Sequence, residues 1–310
     1  MSFNNTVYAL AVDSNNNLYA GGQFTTANGV TVNRIAKWNG TAWSALGSGI
    51  NGTVRVIAFD SSDNLYAAGA FNIAGGVTVN GIAKWNGTAW NALGNGVSFY
   101  AQYNFGTGYS FAVDSSGNLY VGGTFLTIYG APANYIAKWN TTSSAWENPF
   151  GSGMNSGVFA LAFDSSGNLY VGGQFTTANG VTANRIAKWN GTQFSALGSG
   201  INSTPRAIVF DSSGNLYVGG FFTTAGGTAS NRIARWNTTS SAWEYPFGSG
   251  MNNGIYTLAF DSNENLYAGG YFTTAGGIDA LRTAKWNGSS WEKWIDADNV
   301  VRTLLITDPK

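Results

Sequence analysis

Cysteine and histidine are both absent from the 310 residues. Their absence excludes a disulfide framework, a thiolate nucleophile, Ser-His-Asp and Cys-His constellations, and any histidine-ligated metal. Charge is also scarce. Charged side chains make up 10% of the chain, and 15 basic residues balance 15 acidic ones, so no global field would draw nucleic acid or an anionic membrane surface. No apolar run approaches the roughly 20 residues that span a bilayer, and residues 1–18 lack the basic start and apolar stretch of a signal peptide. Neither a nucleic-acid partner nor membrane insertion is expected. What the chain has instead is 43 glycines and 15% aromatic residues, the composition of a turn-rich, strand-rich protein.

Internal repetition organises that composition. The stretch from Val7, VYALAVDSNNNLYAGGQFTTANGVTVNRIAKWNGTAWSALGSGIN, returns from Val158 as VFALAFDSSGNLYVGGQFTTANGVTANRIAKWNGTQFSALGSGIN. Anchored on its Asp-Ser pair, the motif occurs at Asp13, Asp60, Asp114, Asp164, Asp211 and Asp261. Each copy holds four short segments rich in β-branched and aromatic residues, separated by turn clusters. In blade 1 they read VYALAVD, NLYAGGQF, RIAKWNG and TAWSALG. Repeats of this length, each a four-stranded meander that buries both faces against its neighbours, predict radial repetition. The expected fold is therefore all-β, a six-bladed β-propeller of four-stranded antiparallel blades over residues 1–295, with repeats starting near residues 7, 54, 108, 158, 205 and 255. Residues 296–310 form a tail whose segment VVRTLLITD, from Val300, looks like a seventh first strand. Because Val7 already opens blade 1, this segment is expected to dock outside the ring or at an oligomer contact. Displacement of the N-terminal strand and the start of a further domain are the alternatives.

The order of a hydrophobic strand, LYxGG, a third strand ending in Trp-Asn and a fourth strand with Trp resembles a Kelch-type blade. FAVDSSGNLYVGG, from Phe111, is similar to bacterial surface-protein propeller repeats with a D-x-x-G-N-hydrophobic-Y signature. The resemblance spans residues 7–294 and implies the fold, since such propellers carry many unrelated functions. The long approach GGVTVNRIAKWNG departs from the standard Kelch repeat.

Most chemistry-bearing side chains are explained by the repeat itself. The six repeated aspartates are expected to cap Asx-type turns, and one carboxylate per loop falls far short of a calcium cage. The remaining acids are scattered, and none is paired by the repeat as a glycosidase dyad; no enzyme activity, metal or cofactor is expected. Eleven of the twelve tryptophans recur on third or fourth strands and are read as core between blades. Lys37, Lys84, Lys138, Lys188, Arg235 and Lys285 precede the third-strand tryptophans and are read as partners of the repeated aspartates. Nine N-x-S/T sequons, such as Asn39 and Asn190, are read first as turn chemistry.

A site on one blade must be written as a departure from the repeat. The longest connection, from Gly96 to Gly108, introduces Phe99, Tyr100, Tyr103 and Phe105, and blade 3 replaces the common TTANGV with LTIYGAP, adding Leu126, Ile128 and Tyr129. Meander topology puts both departures on one rim, where an aromatic patch suggests recognition. The same face is expected to hold Arg34, Arg185, Arg232 and Arg282, with Gly81 and Tyr135 at that position in blades 2 and 3. At the inner rim the series runs Tyr8, Arg55, Tyr109, Phe159, Arg206, Tyr256. The expected ligand-binding set is thus Phe99, Tyr100, Tyr103, Phe105, Leu126, Tyr129, Tyr135, Arg55 and Arg206. It serves a non-catalytic binding or display scaffold at the cell surface whose partner is a protein or carbohydrate. A multivalent lectin with repeated inter-blade pockets, and a structural spacer or engineered propeller without ligand, are the alternatives.

Overall fold

A computed structural model of the chain describes residues 2–98, 110–128 and 131–306. The fold is all-β, with six four-stranded antiparallel blades arranged as a β-propeller and no helix among the described residues. Blades 1–3 fall in one compact unit, Met1–Gly153, and blades 4–6 in a second, Met154–Lys310. Blade 1 sets the pattern with strands Val7–Val12, Leu18–Gly22, Ile35–Trp38 and Trp43–Ala45, hydrogen-bonded in chain order. A small ribbon, Thr26–Ala27 with Val30–Thr31, projects between the second and third strands.

The turn between the first two strands is built around the repeated aspartate. Asp13 Oδ1 accepts the backbone N–H groups of Asn15 and Asn17 at 3.0 and 2.8 Å, and Oδ2 accepts the Tyr19 hydroxyl at 3.2 Å. Burial pushes the Asp13 carboxyl up, but the bonds from Asn17, with Lys37 and Tyr19, hold it below the usual carboxylate range. The basic residue beside each third-strand tryptophan does not always join this turn. Lys37 and Lys188 lie 3.7 and 3.9 Å from Asp13 and Asp164, whereas Lys138 pairs with Glu147 at 3.1 Å and Arg235 pairs with Glu244. Blades 3 and 5 carry a glutamate on the fourth strand within reach of that cation, and a nearer carboxylate wins.

The buried tyrosines of the second strand make the fold sensitive to alkali. Burial pushes the Tyr120 and Tyr170 hydroxyls up to about 12, and the Asp114 and Asp164 carboxylates push the same way. Their folded values lie above the unfolded value near 10, so this stabilisation is complete below pH ~10 and is lost as pH rises towards 12. The melting temperature should stay level from pH ~8 to ~10 and fall steeply above that. Tyr170→Phe, which has no proton to lose, should make the alkaline fall shallower; an unchanged profile would remove the tyrosines from the cause.

Neighbouring blades within each unit interlock through the second-strand glycines. A Cβ on Gly21 would lie 2.6 Å from Val54 Cγ1 of blade 2, one on Gly172 would lie 2.9 Å from Ile208 Cδ1 of blade 5, and one on Gly219 would lie 2.7 Å from Ile255 Cγ2 of blade 6. The first of the paired glycines therefore seats the next blade's first strand. The second meets backbone of its own blade, as at Gly22, where a Cβ would fall 2.2 Å from the Thr6 carbonyl oxygen. Tryptophans close the outer part of each interface. Trp90, Trp146, Trp243 and Trp291 donate Nε1–H to carbonyls of the preceding blade at 2.9–3.3 Å.

The tail corrects the expectation of peripheral docking. Val301 and Leu304 lie over Gly269, with Cγ1 and Cδ1 2.6 and 3.2 Å from where its Cβ would stand. Val54 and Ile57 hold the same relation to Gly21, and Ile255 and Leu258 to Gly219. The tail thus occupies, on blade 6, the seat that blades 1 and 5 offer to a following first strand. Val301 N–H donates to the Gly270 carbonyl and Leu304 N–H to Thr257 Oγ1, each at 3.2 Å.

Candidate functional site

Two groups of side chains stand apart from the repeated scaffold. The first is a cleft of about 310 Å³ on blade 3, walled by Ile128, Pro132, Trp139 and Trp146 and edged by Glu147 and Asn148. Its floor follows from strand pairing. Trp139 and Trp146 are directly opposed on the third and fourth strands, Ile136–Asn140 and Ala145–Glu147, with ring centroids 5.1 Å apart and planes at 67°. Trp146 is anchored by its Nε1–H bond to the Leu93 carbonyl at 2.9 Å. The upper wall comes from the ribbon Thr127–Ile128 with Ala131–Pro132, which also pairs with Val97–Ser98, the start of the long blade 2 to blade 3 connection.

Blade 5 shows why this cleft opens. Residues 145–154 read AWENPFGSGM and residues 242–251 read AWEYPFGSGM, so Asn148 stands where blade 5 has Tyr245. Tyr245 packs on the blade 5 core and donates its hydroxyl to the Ala225 carbonyl at 2.7 Å. Asn148 instead donates Nδ2–H to the Pro132 and Gly151 carbonyls at 3.0 and 3.3 Å and accepts Phe150 N–H at 3.3 Å, and the space of a phenol ring beside the indoles stays open. On the cleft's edge Glu147 accepts Asn140 Nδ2–H at 2.8 Å and pairs with Lys138. These two partners hold its carboxyl below the usual glutamate range, leaving it an ionised acceptor.

The second group lies on the inner rim. In five blades the first strand carries a β-bulge, and the extra residue is Tyr8, Arg55, Phe159, Arg206 or Tyr256. A bulge re-aims one side chain out of the ladder's alternation, and here neighbouring bulge residues stack. The Arg55 guanidinium lies 4.2 Å from the Tyr8 ring centroid, and in the second unit that of Arg206 lies 4.5 Å from Phe159 and 5.8 Å from Phe221. Phe221 packs edge-on against Tyr256 at 5.4 Å, and the tail's Arg302 lies 5.1 Å from the Tyr256 ring.

Of the residues singled out from the sequence, Phe99, Tyr100, Tyr103, Phe105 and Tyr129 lie outside the described residues. Leu126 and Tyr135 come together in one blade 3 hairpin, where the Leu126 carbonyl accepts Ala133 and Asn134 N–H at 2.9 and 3.1 Å and Tyr135 adopts φ 74°. Both are half-buried, and neither lines the cleft. Arg34, Arg185, Arg232 and Arg282 share that left-handed position. Arg34 and Arg282 donate Nη1–H to the Gln23 and Tyr271 carbonyls at 2.9 and 2.7 Å, which ties them to their own blades. Trp139, Trp146, Glu147 and Asn148 were absorbed into the repeat by sequence reasoning; the one readable signal was Asn148 against Tyr245.

The model of the Rax2 C-terminal β-propeller domain matches residues 1–93 and 184–308, more than half of the chain. The chain belongs to this family. A second model, the DUF5122 β-propeller domain of unknown function, matches residues 165–190, and the Kelch resemblance is not confirmed by these matches. No curated protein sequence matches the chain. Among solved structures, the extracellular domain of a putative hybrid two-component system from B. thetaiotaomicron superposes with TM-score 0.60 at 13% identity, covering 96% of this chain and 34% of that one. The extracellular domain of a putative one-component system from the same organism gives TM-score 0.56 at 17% identity, covering 86% and 32%. This chain spans about a third of the length of each. A catalytically inactive virginiamycin B lyase from Staphylococcus aureus, solved with quinupristin, gives TM-score 0.54 at 13% identity, covering 93% and 83%. At these identities the likeness is one of fold.

Proposed function

We propose that this propeller is a non-catalytic recognition module of a surface-associated protein, and that it takes a carbohydrate in the blade 3 cleft. The observation that carries the reading is the replacement of Tyr245 by Asn148, at a cleft lined by the Trp139–Trp146 pair and edged by an ionised glutamate and an amide. Apolar ring faces met by aromatic walls, with a few convergent acceptors and donors at the edge, are what a sugar offers and needs. The extracellular placement of the two bacterial sensor domains supports the surface setting. Glu147 argues against hydrolysis, because a general acid needs a raised carboxyl pKa and this one is lowered.

The test fills the cleft with the side chain that blade 5 already uses. Asn148→Tyr should leave the melting temperature within about 2 °C of the parent, since surface changes of this kind cost under ~0.5 kcal/mol. It should abolish glycan-array binding by the parent chain. Retained glycan binding in a folded Asn148→Tyr protein would overturn the proposal, and a parent that binds no glycan but captures a protein partner would favour the protein reading.

A second reading rests on the groove of about 250 Å³ between blades 1 and 2, lined by Asn33, Arg34, Asn51 and Ile73. Asn33, Arg34 and Asn51 recur in other blades, as a multivalent lectin requires. Stoichiometry decides: one ligand per chain supports the blade 3 cleft, several equivalent ligands the repeated groove.

A further inference from the structure

Arg206 is the most anomalous charge in the second unit. It occupies the bulge of the strand Pro205–Phe210, a position filled by aromatic rings in blades 1, 4 and 6. Its guanidinium is half-buried, faces Phe159 and Phe221, and makes neither a hydrogen bond nor an ion pair among the described residues. Nε–H is fully enclosed and meets no acceptor. Arg55 repeats this arrangement at the equivalent bulge of the first unit, stacked on Tyr8 with its Nε–H unmet, whereas Arg232 and Arg282, whose Nε–H groups are also unmet, give Nη1–H to backbone carbonyls, and Arg235 pairs with Glu244. A guanidinium carries five donors in a fixed fork and is costly to desolvate without an acceptor. Ring faces offset part of that cost, but they accept no in-plane N–H bond. Burial lowers the guanidinium below its ordinary pKa, and the nearby Arg302 adds like-charge repulsion. Arg206 itself has no carboxylate partner among the described residues, and the rings of Phe159 and Phe221 beside it are apolar.

We propose that the Arg206 rim is a binding site for a carboxylate carried on an apolar body, the carboxylate taking the guanidinium fork while the body lies against Phe159, Phe221 and Tyr256. The planar fork matches two carboxylate oxygens, and the rings would exclude water from the pair. This site is carried by residues of blades 4 to 6 and does not depend on the reading of the blade 3 cleft. Two sources present the same chemistry, a free aromatic or aliphatic acid and the C-terminus of an apolar peptide.

The test uses the full chain with arginine Nε labelled with 15N, titrated with benzoate and, as a neutral isostere, with benzamide. Benzoate should shift the Arg206 Nε–H resonance saturably, with benzamide at least about tenfold weaker. Arg206→Tyr places at this bulge the residue that blades 1 and 6 use there, so the fold tolerates it, and it should lose benzoate binding at least about tenfold. Arg206→Lys, which keeps the charge without the fork, should also weaken it. Equal affinity for benzoate and benzamide, or undiminished benzoate binding by both variants, would overturn the proposal, as would the absence of any shift at about 50 mM benzoate, since a charged pair supported by ring contacts should bind tighter than that. A short peptide ending in Leu-Phe separates the sources. Displacement of benzoate by its free-acid form and not by its amide supports a chain terminus, and equal inactivity of both leaves the free acid as the ligand.

Discussion

Truncation after Trp294 is expected to lower the melting temperature by about 5–15 °C. The segment removed seats Val301 and Leu304 over Gly269, on the blade 6 face that corresponds to the inter-blade faces of blades 1, 4 and 5. Both side chains are half-buried, so together they contribute about 2–4 kcal/mol of apolar burial. The backbone bonds from Ala297, Val301 and Leu304 to Leu281, Gly270 and Thr257 are lost as well. At roughly 2–4 °C per kcal/mol for a domain of this size, the fall is many degrees. Thermal unfolding followed by circular dichroism reads it directly. Leu304→Asp should reproduce much of the effect, because a carboxylate placed over Gly269 has no partner there. A truncation that melts within about 2 °C of the parent would return the tail to the periphery.

Trp90→Ala is expected to destabilise the protein by about 3–5 kcal/mol, the range for removing a buried aromatic ring. Trp90 is 3% exposed, packs 5.4 Å from Trp85, and donates Nε1–H to the Leu46 carbonyl of blade 1 at 3.0 Å. The ring lies so close to Gly75 that a Cβ there would stand 2.8 Å from Trp90 Cδ1, and the left-handed turn at that glycine, φ 58°, leaves the backbone little freedom to fill the space. The indole N–H adds a separable effect. In Trp43 the Nε1 is buried with no acceptor among the described residues, so Trp43→Phe removes an unmade bond and Trp90→Phe a made one. Denaturant melts should therefore show Trp90→Phe the more costly by about 1 kcal/mol. Equal costs would mean that the hydrogen bond contributes nothing measurable to the blade 1–blade 2 contact.

The candidate sites were unevenly legible in the sequence. Arg55 and Arg206 were singled out within the inner-rim series they share with Tyr8, Tyr109, Phe159 and Tyr256, because a repeat exposes a position that changes from blade to blade. The bulge beneath them was not visible, since a register shift is a property of two strands hydrogen-bonded together. Phe221 was missed for the same reason: it follows the second strand of blade 5 and reaches Arg206 only once the first two strands of that blade pair. The cleft was hidden by the opposite effect. Trp139 and Trp146 match the repeat perfectly, and recurrence marks a residue as scaffold even where one neighbour, Asn148, is too short to fill the cleft beside it.

The sequence by itself determined the six blades, the strand order within each and the role of the repeated aspartate. These rest on local periodicity, turn chemistry and recurrence, all of which act over a few residues and are written in the chain. The tertiary structure alone decided where side chains from different blades meet. It put Val301 and Leu304 into a first-strand seat, divided the lysines and arginines between aspartate turns and nearer glutamates, and left Arg206 among rings without an acceptor. Each of those outcomes depends on distances between residues on different strands or blades, set by packing and competition for the nearest partner, and no pattern along a single strand encodes them.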